Sequence, residues 1–210
     1  MAAPAPKPGF SKRVHAWMMA RLSGRYERLV EDRKRALFTS LQGTVLEIGP
    51  GTGPNLRYYP SGIRWIGIEP NPYMHPYLER AAKRADFDTE IRTGSAEDIP
   101  ADSGSVDVVV STLVLCSVGS VAQVLKEIRR VLKPGGRFVF MEHVAAQPRT
   151  RLRRVQNWLC PLWRKIGDGC HPNRETWIAI EQAGFEQVRY EHFRIPAGPV
   201  SPQMAGFAIR

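Results

Sequence analysis

Residues Val45 to Ile48 form a short apolar run interrupted by one acid, Glu47, and the chain then turns through Gly49, Gly51 and Gly53. An apolar strand ending in glycines at alternate positions reads as a ligand loop. Without side chains the backbone turns sharply at the strand end and approaches a bound molecule directly. Pro54 suits the first turn of a following helix. A dinucleotide loop places its third glycine at the sixth position, where Pro54 stands here. A carboxylate such as Glu47 beside this turn repels a diphosphate, yet suits the α-ammonium of a methionine moiety, directly or through water. S-adenosylmethionine therefore fits the loop better than NAD, with a purely structural turn as the alternative.

Two further stretches favour the ligand reading. Ile63 to Ile68 reads as a buried strand that ends in Glu69-Pro70-Asn71, where a carboxylate can accept hydrogen bonds from both ribose hydroxyls. Its distance from the glycine loop matches one helix plus one strand. Ile91 to Asp98 then reads as a strand and a polar turn whose Ser95, Ala96 and Glu97 can edge an adenine. Three strand ends in chain order thus offer groups for the methionine, ribose and adenine parts of one molecule.

The chain has 210 residues and is 43% hydrophobic, enough for one domain with a proper core. No apolar run approaches the roughly 20 residues of a membrane span, and the Ala/Pro-rich start, Met1 to Pro8, lacks the apolar centre of a secretory signal. The expected location is the cytoplasm, with a peripheral contact to the inner membrane face as the extension. The three cysteines, Cys116, Cys160 and Cys170, have neither a paired framework nor a zinc spacing, so they read as reduced thiols and no metal site is expected.

The net charge of +10 is concentrated in two segments. Residues 1–43 carry nine basic against three acidic side chains and residues 147–174 seven against one, while the rest is slightly acidic. The expected organisation is a basic helical appendage over 1–43 and a catalytic domain over 44–210 with a helical insertion near 147–174. In the first segment Phe10, Val14, Trp17, Met18, Leu22, Tyr26, Leu29 and Val30 recur at helical steps, with Gly24 as a bend that can divide the helix in two. Such a helix can pack on the sheet, close over a site, or lie on an anionic membrane surface. In the second, Leu152, Val155, Gln156, Trp158, Leu159 and Leu162 follow a helical pattern behind Arg149, Arg151, Arg153 and Arg154. Cations at a helix start oppose its dipole, so an anionic surface or substrate explains them better than helix propensity does.

The remaining chain alternates strands and helices. Val106 to Ser111 reads as a buried parallel strand, Val121 to Leu132 as an amphipathic helix, and Lys133 to Gly136 as a turn into the strand Arg137 to Met141. Arg174 to Ala183 reads as a helix before two closing strands, Phe185 to His192 and Met204 to Ile209. The fold class is α/β: a Rossmann-like, doubly wound sheet of seven strands with helices on both faces.

Together, Gly49-x-Gly51-Thr52-Gly53, Glu69-Pro70-Asn71-Pro72 and Leu132-Lys133-Pro134-Gly135-Gly136 resemble a class I S-adenosylmethionine-dependent methyltransferase. Thr112 to Val118, Met141 to Ala146, Gly167-Asp168-Gly169-Cys170 and Arg174-Glu175-Thr176-Trp177 resemble more closely the alkyl-thiol methyltransferases, the methyltransferase-like seven group. The likeness runs from about Tyr26 to the C-terminus. It implies a mostly parallel sheet whose last strand is antiparallel, and methyl transfer to small lipophilic thiols with S-adenosylhomocysteine as product. By that resemblance Gly49, Pro50, Gly51, Gly53 and Asn55 hold the methionine end with Glu47 near its amino group. Glu69, Pro70 and Asn71 take the ribose, Ser95, Ala96 and Glu97 border the adenine, and Thr112 and Leu113 face the sulfonium. The chain departs from the family pattern at Pro50 (commonly Cys), at Glu69 (usually Asp), and at its start, where a basic helix replaces a hydrophobic anchor.

A thiol has a free pKa of about 8.5 and needs only modest help to become a thiolate. His143, just past the fifth strand, is the expected base, and Asp168 and His171 are expected to line the acceptor pocket, with capping of the next helix or turn as the other role for Asp168. Cys116 is expected to pack beneath the cofactor. The alternatives to a thiol methyltransferase are an O- or N-methyltransferase of a lipid, quinone or other metabolite, a nucleic-acid methyltransferase, and a non-catalytic cofactor-binding protein. Against nucleic acid, the basic segments carry Trp and Leu rather than Gly and Tyr, and no Asn/Asp-Pro-Pro-aromatic motif occurs.

Overall fold

The computed structural model describes residues 10–210, apart from the side chains of Phe10, Ser11, Leu22 and Ile166; the Ala/Pro-rich start lies outside the described residues. Seven strands, β1 (Thr44–Ile48), β2 (Arg64–Ile68), β3 (Asp88–Arg92), β4 (Val106–Thr112), β5 (Leu132–His143), β6 (Gln187–Arg194) and β7 (Pro202–Ile209), form one sheet in the order β3-β2-β1-β4-β5-β7-β6. The first five pair in parallel, and β7 runs antiparallel to both its neighbours, β5 and β6.

Side-chain alternation gives the central strands two buried faces. Leu46 and Ile48 point into a core shared with α3 (Val121–Val131) and α5 (Thr176–Gln182), through Val124, Ile128 and Ile180. Val45 and Trp65 face the other way, under Phe38 at the end of α1 (Phe10–Phe38), Tyr58, Tyr59 and Leu78 of α2 (His75–Ala82). Helices therefore cover both faces, as the apolar runs predict.

Local sequence decides where the elements depart from expectation. The helix predicted after the glycine loop is only a 3-10 turn, Leu56–Tyr58. Tyr58 and Tyr59 turn inward to become buried, and Pro60 stops any continuation. The helix α2, with Pro at its start, is too short for a marked apolar period and buries only Leu78 and Ala82. The residues Lys133 to Gly136 bulge out within β5, because Leu132 pairs with Val106 and Arg137 with Val108.

Gly24 does not divide α1, which is a single helix of 29 residues. A glycine costs only about 1 kcal/mol against alanine in a helix, and the second half of α1 is anchored strongly. Lys34 and Glu27 form a buried ion pair at 2.7 Å, and the Tyr26 hydroxyl donates to Gln203 at 3.3 Å. The helix α4 (Arg151–Ile166) is held by polar pins instead. Buried Gln156 accepts from the Ala146 N–H at 2.7 Å and donates to Pro199 O at 2.8 Å, while Arg153 reaches Ala146 O and Glu175. Its apolar residues turn outward: Trp158 is 80% exposed and Leu162 59%. Among the described residues no helix is long and apolar enough to cross a membrane.

Candidate active site

In a doubly wound sheet, ligands bind beyond the carboxyl ends of the strands, where chain connections leave in opposite directions. Here that point lies between β1, which leads to β2 on one side, and β4, its neighbour on the other. The glycine loop follows β1 and the Thr112-Leu113 corner closes β4.

Gly49 has φ 57°, and a Cβ there would meet Val114 Cγ2 at 2.7 Å, so only glycine turns the chain here. Gly51, at φ 59°, differs: a Cβ there would have no heavy atom within 4 Å, so the loop presents bare backbone to open space. The Gly51 N–H donates to Glu69 Oε2 at 2.9 Å, and the Asn71 N–H donates to Glu69 Oε1 at 2.8 Å. Glu69 is thereby fixed across the ends of β1 and β2. Burial raises its pKa, against the pull of these two bonds. Asn71 is held in turn, accepting from the Tyr73 N–H and donating to Lys12 O at 3.2 Å, which brings the start of α1 over this corner. Pro70 is exposed beside it and Pro50 is buried under the loop.

Glu47 lies deeper than the loop, fully covered. Its carboxylate accepts from Asn55 Nδ2 at 2.7 Å, the Tyr59 hydroxyl at 2.9 Å and Trp65 Nε1 at 3.0 Å. Burial raises its pKa even so. Asn55 Nδ2 also donates to Thr112 Oγ1 at 3.0 Å, so Glu47, Asn55 and Thr112 link the β1 and β4 ends. Asn55 Oδ1 is buried without a partner. In this arrangement Asn55, rather than Glu47 itself, offers the free acceptor.

The Ser95 to Asp98 turn is closed by a Ser95–Asp98 bridge and by the Ser95 hydroxyl on Glu97, with Ala96 packed into the core below. Glu97 accepts from the Gly119 N–H at 2.9 Å. Burial opposes its charge, but the Ser95 and Gly119 bonds outweigh it and hold its pKa below the ordinary value. At the β4 corner Leu113 has φ 58°, a left-handed conformation that costs a leucine energy. Buried Glu142 holds that corner, accepting from the Ser111 hydroxyl at 2.6 Å and the Val114 N–H at 3.1 Å, with Oε2 unpartnered. Glu142 is a lone acid in an apolar strand, a pattern that by itself signals a buried carboxylate with a positioning role.

His143 is 5% exposed, and Nε2 lies 2.9 Å from Cys170 Sγ. Cys116 joins them from the segment after β4: the ligating atoms of Cys116, His143 and Cys170 all lie within 4.8 Å of one another. The interaction between the Cys116 and Cys170 sulfurs, together with burial, pushes the Cys116 thiol up; the same interaction and the Trp163 N–H draw Cys170 down. Asp168 is exposed in the turn after α4 with φ 48° and does not cap α5, whose N-cap is Glu175. It lies close enough to Glu69 to raise that carboxyl's pKa. His171 Nδ1 lies 3.2 Å from Cys116 O, to which it donates in one tautomer, and 3.1 Å from Arg174, from which it accepts in the other. The spacing of the cysteines hides this convergence, which only the fold assembles.

The residues present fit S-adenosylmethionine. The bare face of Gly51 leaves room for a ligand, and Asn55 Oδ1 is the kind of buried acceptor that an ammonium would satisfy.

Residues 46–140 match the family described as a methyltransferase domain. Among solved structures, a chain of the complex between the Haloferax volcanii Trm112 methyltransferase activator and its methyltransferase superposes with a TM-score of 0.72 at 20% identity, covering 98% of this chain and 99% of that one. An Aquifex aeolicus S-adenosylmethionine-dependent methyltransferase superposes at 0.65 with 16% identity, covering 94% and 97%. Fold and loops thus define a class I methyltransferase. The human thiol S-methyltransferase TMT1A is 36% identical over 95% of this chain and 87% of its own length, and mouse TMT1B is 41% identical over the same shares. The chain belongs to the thiol S-methyltransferase family of S-adenosylmethionine-dependent enzymes.

Proposed function

We propose that this chain moves the methyl group of S-adenosylmethionine to the sulfur of a small lipophilic thiol and releases S-adenosylhomocysteine. The observation that carries the cofactor half is the Glu69 carboxylate clasping the Gly51 and Asn71 N–H groups, one acid at the seam of two strand ends. The thiol half rests on relatives named for that activity over nearly the whole chain.

When bound, S-adenosylmethionine supplies a methyl group on a sulfonium that is already a good leaving group. The chain has to position and exclude water. Gly49, Pro50, Gly51, Gly53 and Asn55 hold the methionine end, with Glu47 fixing Asn55 from beneath. Glu69, Pro70 and Asn71 hold the ribose, and Ser95, Ala96 and Glu97 edge the adenine. Thr112 and the strained Leu113 face the reacting centre. On the acceptor side, His143 acts through Cys170, and Asp168 lines the mouth.

Residues 44–210 serve as the catalytic domain, with 1–43 as a basic appendage and 147–174 as an insertion. The outward Trp158 and Leu162 of α4, and Trp17, 53% exposed on α1, sit among arginines. That combination suits peripheral contact with an anionic membrane on the cytoplasmic side, a source of lipophilic acceptors, and favours it over nucleic acid. The test is an acceptor screen over thiols, phenols, amines and lipid extracts that reads S-adenosylhomocysteine release. Turnover confined to phenols, amines or lipids would overturn the thiol assignment.

A further inference from the structure

We propose that Cys116, His143 and Cys170 form a three-ligand site for a zinc-type divalent cation whose fourth position is open to the sulfur of the acceptor thiol. The inference deepens the thiol reading and rests on it for the fourth ligand only; the cation site stands on its own geometry.

Three chain segments converge here: the loop after β4, the last residue of β5 and the turn after α4. All three side chains are buried, at 1%, 5% and 7% exposure, and all three cysteines of the chain are free thiols. Their ligating atoms lie within 4.8 Å of one another. Zn–S bonds of about 2.3 Å and Zn–N bonds of about 2.0 Å set tetrahedral ligand-to-ligand edges of roughly 3.5 Å, so small side-chain adjustments suffice. The ligand types agree as well. Two thiolates and a neutral imidazole cancel a double positive charge, and thiolate and imidazole ligands select zinc over magnesium or calcium.

His143 Nε2 is the ring nitrogen turned to the cluster, 2.9 Å from Cys170 Sγ, and one further observation points to a ligand. Trp163 Nε1 donates to Cys170 Sγ at 3.2 Å, the kind of outer hydrogen bond that orients a metal thiolate. No fourth His, Cys, Asp or Glu joins the group among the described residues. Three protein ligands are what catalytic zinc sites use, whereas structural sites close with four. The cluster also adjoins the Leu113 corner, since Cys116 Sγ donates to Leu113 O at 3.4 Å. An acceptor thiol entering the fourth position would bind as thiolate and release its proton to solvent, with no oxidation or reduction.

The test uses the reduced full-length protein titrated anaerobically with cobalt(II) or zinc(II). The expected result is stoichiometric uptake, a thiolate-to-cobalt charge-transfer band with intense tetrahedral visible bands, and loss of both in Cys170→Ser but not in Cys160→Ser. X-ray absorption of the zinc-loaded parent protein should give two sulfur ligands and one nitrogen, a readout that needs no variant to fold. An alkanethiol, and not the matched alcohol, should shift the cobalt bands. No uptake, or bands unchanged in Cys170→Ser, would overturn the site, and bands indifferent to thiols would overturn its open position. Uptake and a thiol-dependent shift without methyl thioether formation would support the cation site and contradict the thiol-transfer reading.

Discussion

Glu69 Oε2 accepts the Gly51 N–H at 2.9 Å, so the carboxylate at the end of β2 and the glycine loop at the end of β1 are a single unit. Removing the acid both frees the loop and takes away the group proposed for the ribose. Hydrogen bonds to charged groups contribute about 1.5–3 kcal/mol each, so Glu69→Ala should weaken S-adenosylmethionine binding roughly tenfold to a hundredfold. Calorimetry reads this directly, and unchanged affinity would remove Glu69 from the cofactor site.

Two buried acids, both with pKa raised by burial, should differ in what amide substitution costs. Burial raises the folded-state pKa of Glu142 above its ordinary 4.5, so the folded chain holds that proton more tightly than the unfolded one. Its contribution to stability is fully present below the unfolded value and is lost as pH rises through the folded one. Glu142→Gln removes that titration, keeps an acceptor for Ser111 and Val114, and puts its amide where Oε2 has no donor to meet. Its Tm relative to the parent should rise from acid towards neutral pH; a difference constant across pH would contradict this. Glu47 accepts three donors over both oxygens, so Glu47→Gln leaves one unmet and should lose about 1–3 kcal/mol.

Lys34 and Glu27 are both buried, and Arg57 lies 3.7 Å from the same carboxylate. Lys34→Met leaves the buried acid only the more distant Arg57 and should destabilise by about 3–5 kcal/mol. Adding Glu27→Gln should recover much of that loss. Denaturant unfolding checks both; an additive double variant would mean that the pair does not fasten α1.

The basic helices should bind vesicles containing anionic lipid, and the bound fraction in sedimentation should fall as salt rises. Trp158→Ala should reduce binding at low salt while leaving S-adenosylmethionine affinity unchanged. Equal sedimentation of parent and variant would take α4 out of the contact.

The sheet was legible because its central strands are continuous apolar runs, and the cofactor side because glycines and acids stand at strand ends. The 3-10 turn after the loop was not, since Pro54 favours a helix start while the burial of Tyr58 and Tyr59 that prevents one is a tertiary effect. Nor was the attachment of α4: Gln156 stands in its helical pattern, but the fold alone buries it as the pin while Trp158 and Leu162 face outward. The acceptor side was least legible. Cys116, His143 and Cys170 are 27 residues apart in each step, with no local pattern linking them.

The central claim is methyl transfer to sulfur, and the most direct measurement compares kcat/KM for a small alkanethiol and the alkanol of equal chain length with the same S-adenosylmethionine. Efficient formation of the methyl thioether with little or no methyl ether is the predicted result. Equal rates, or faster reaction at oxygen, would contradict it.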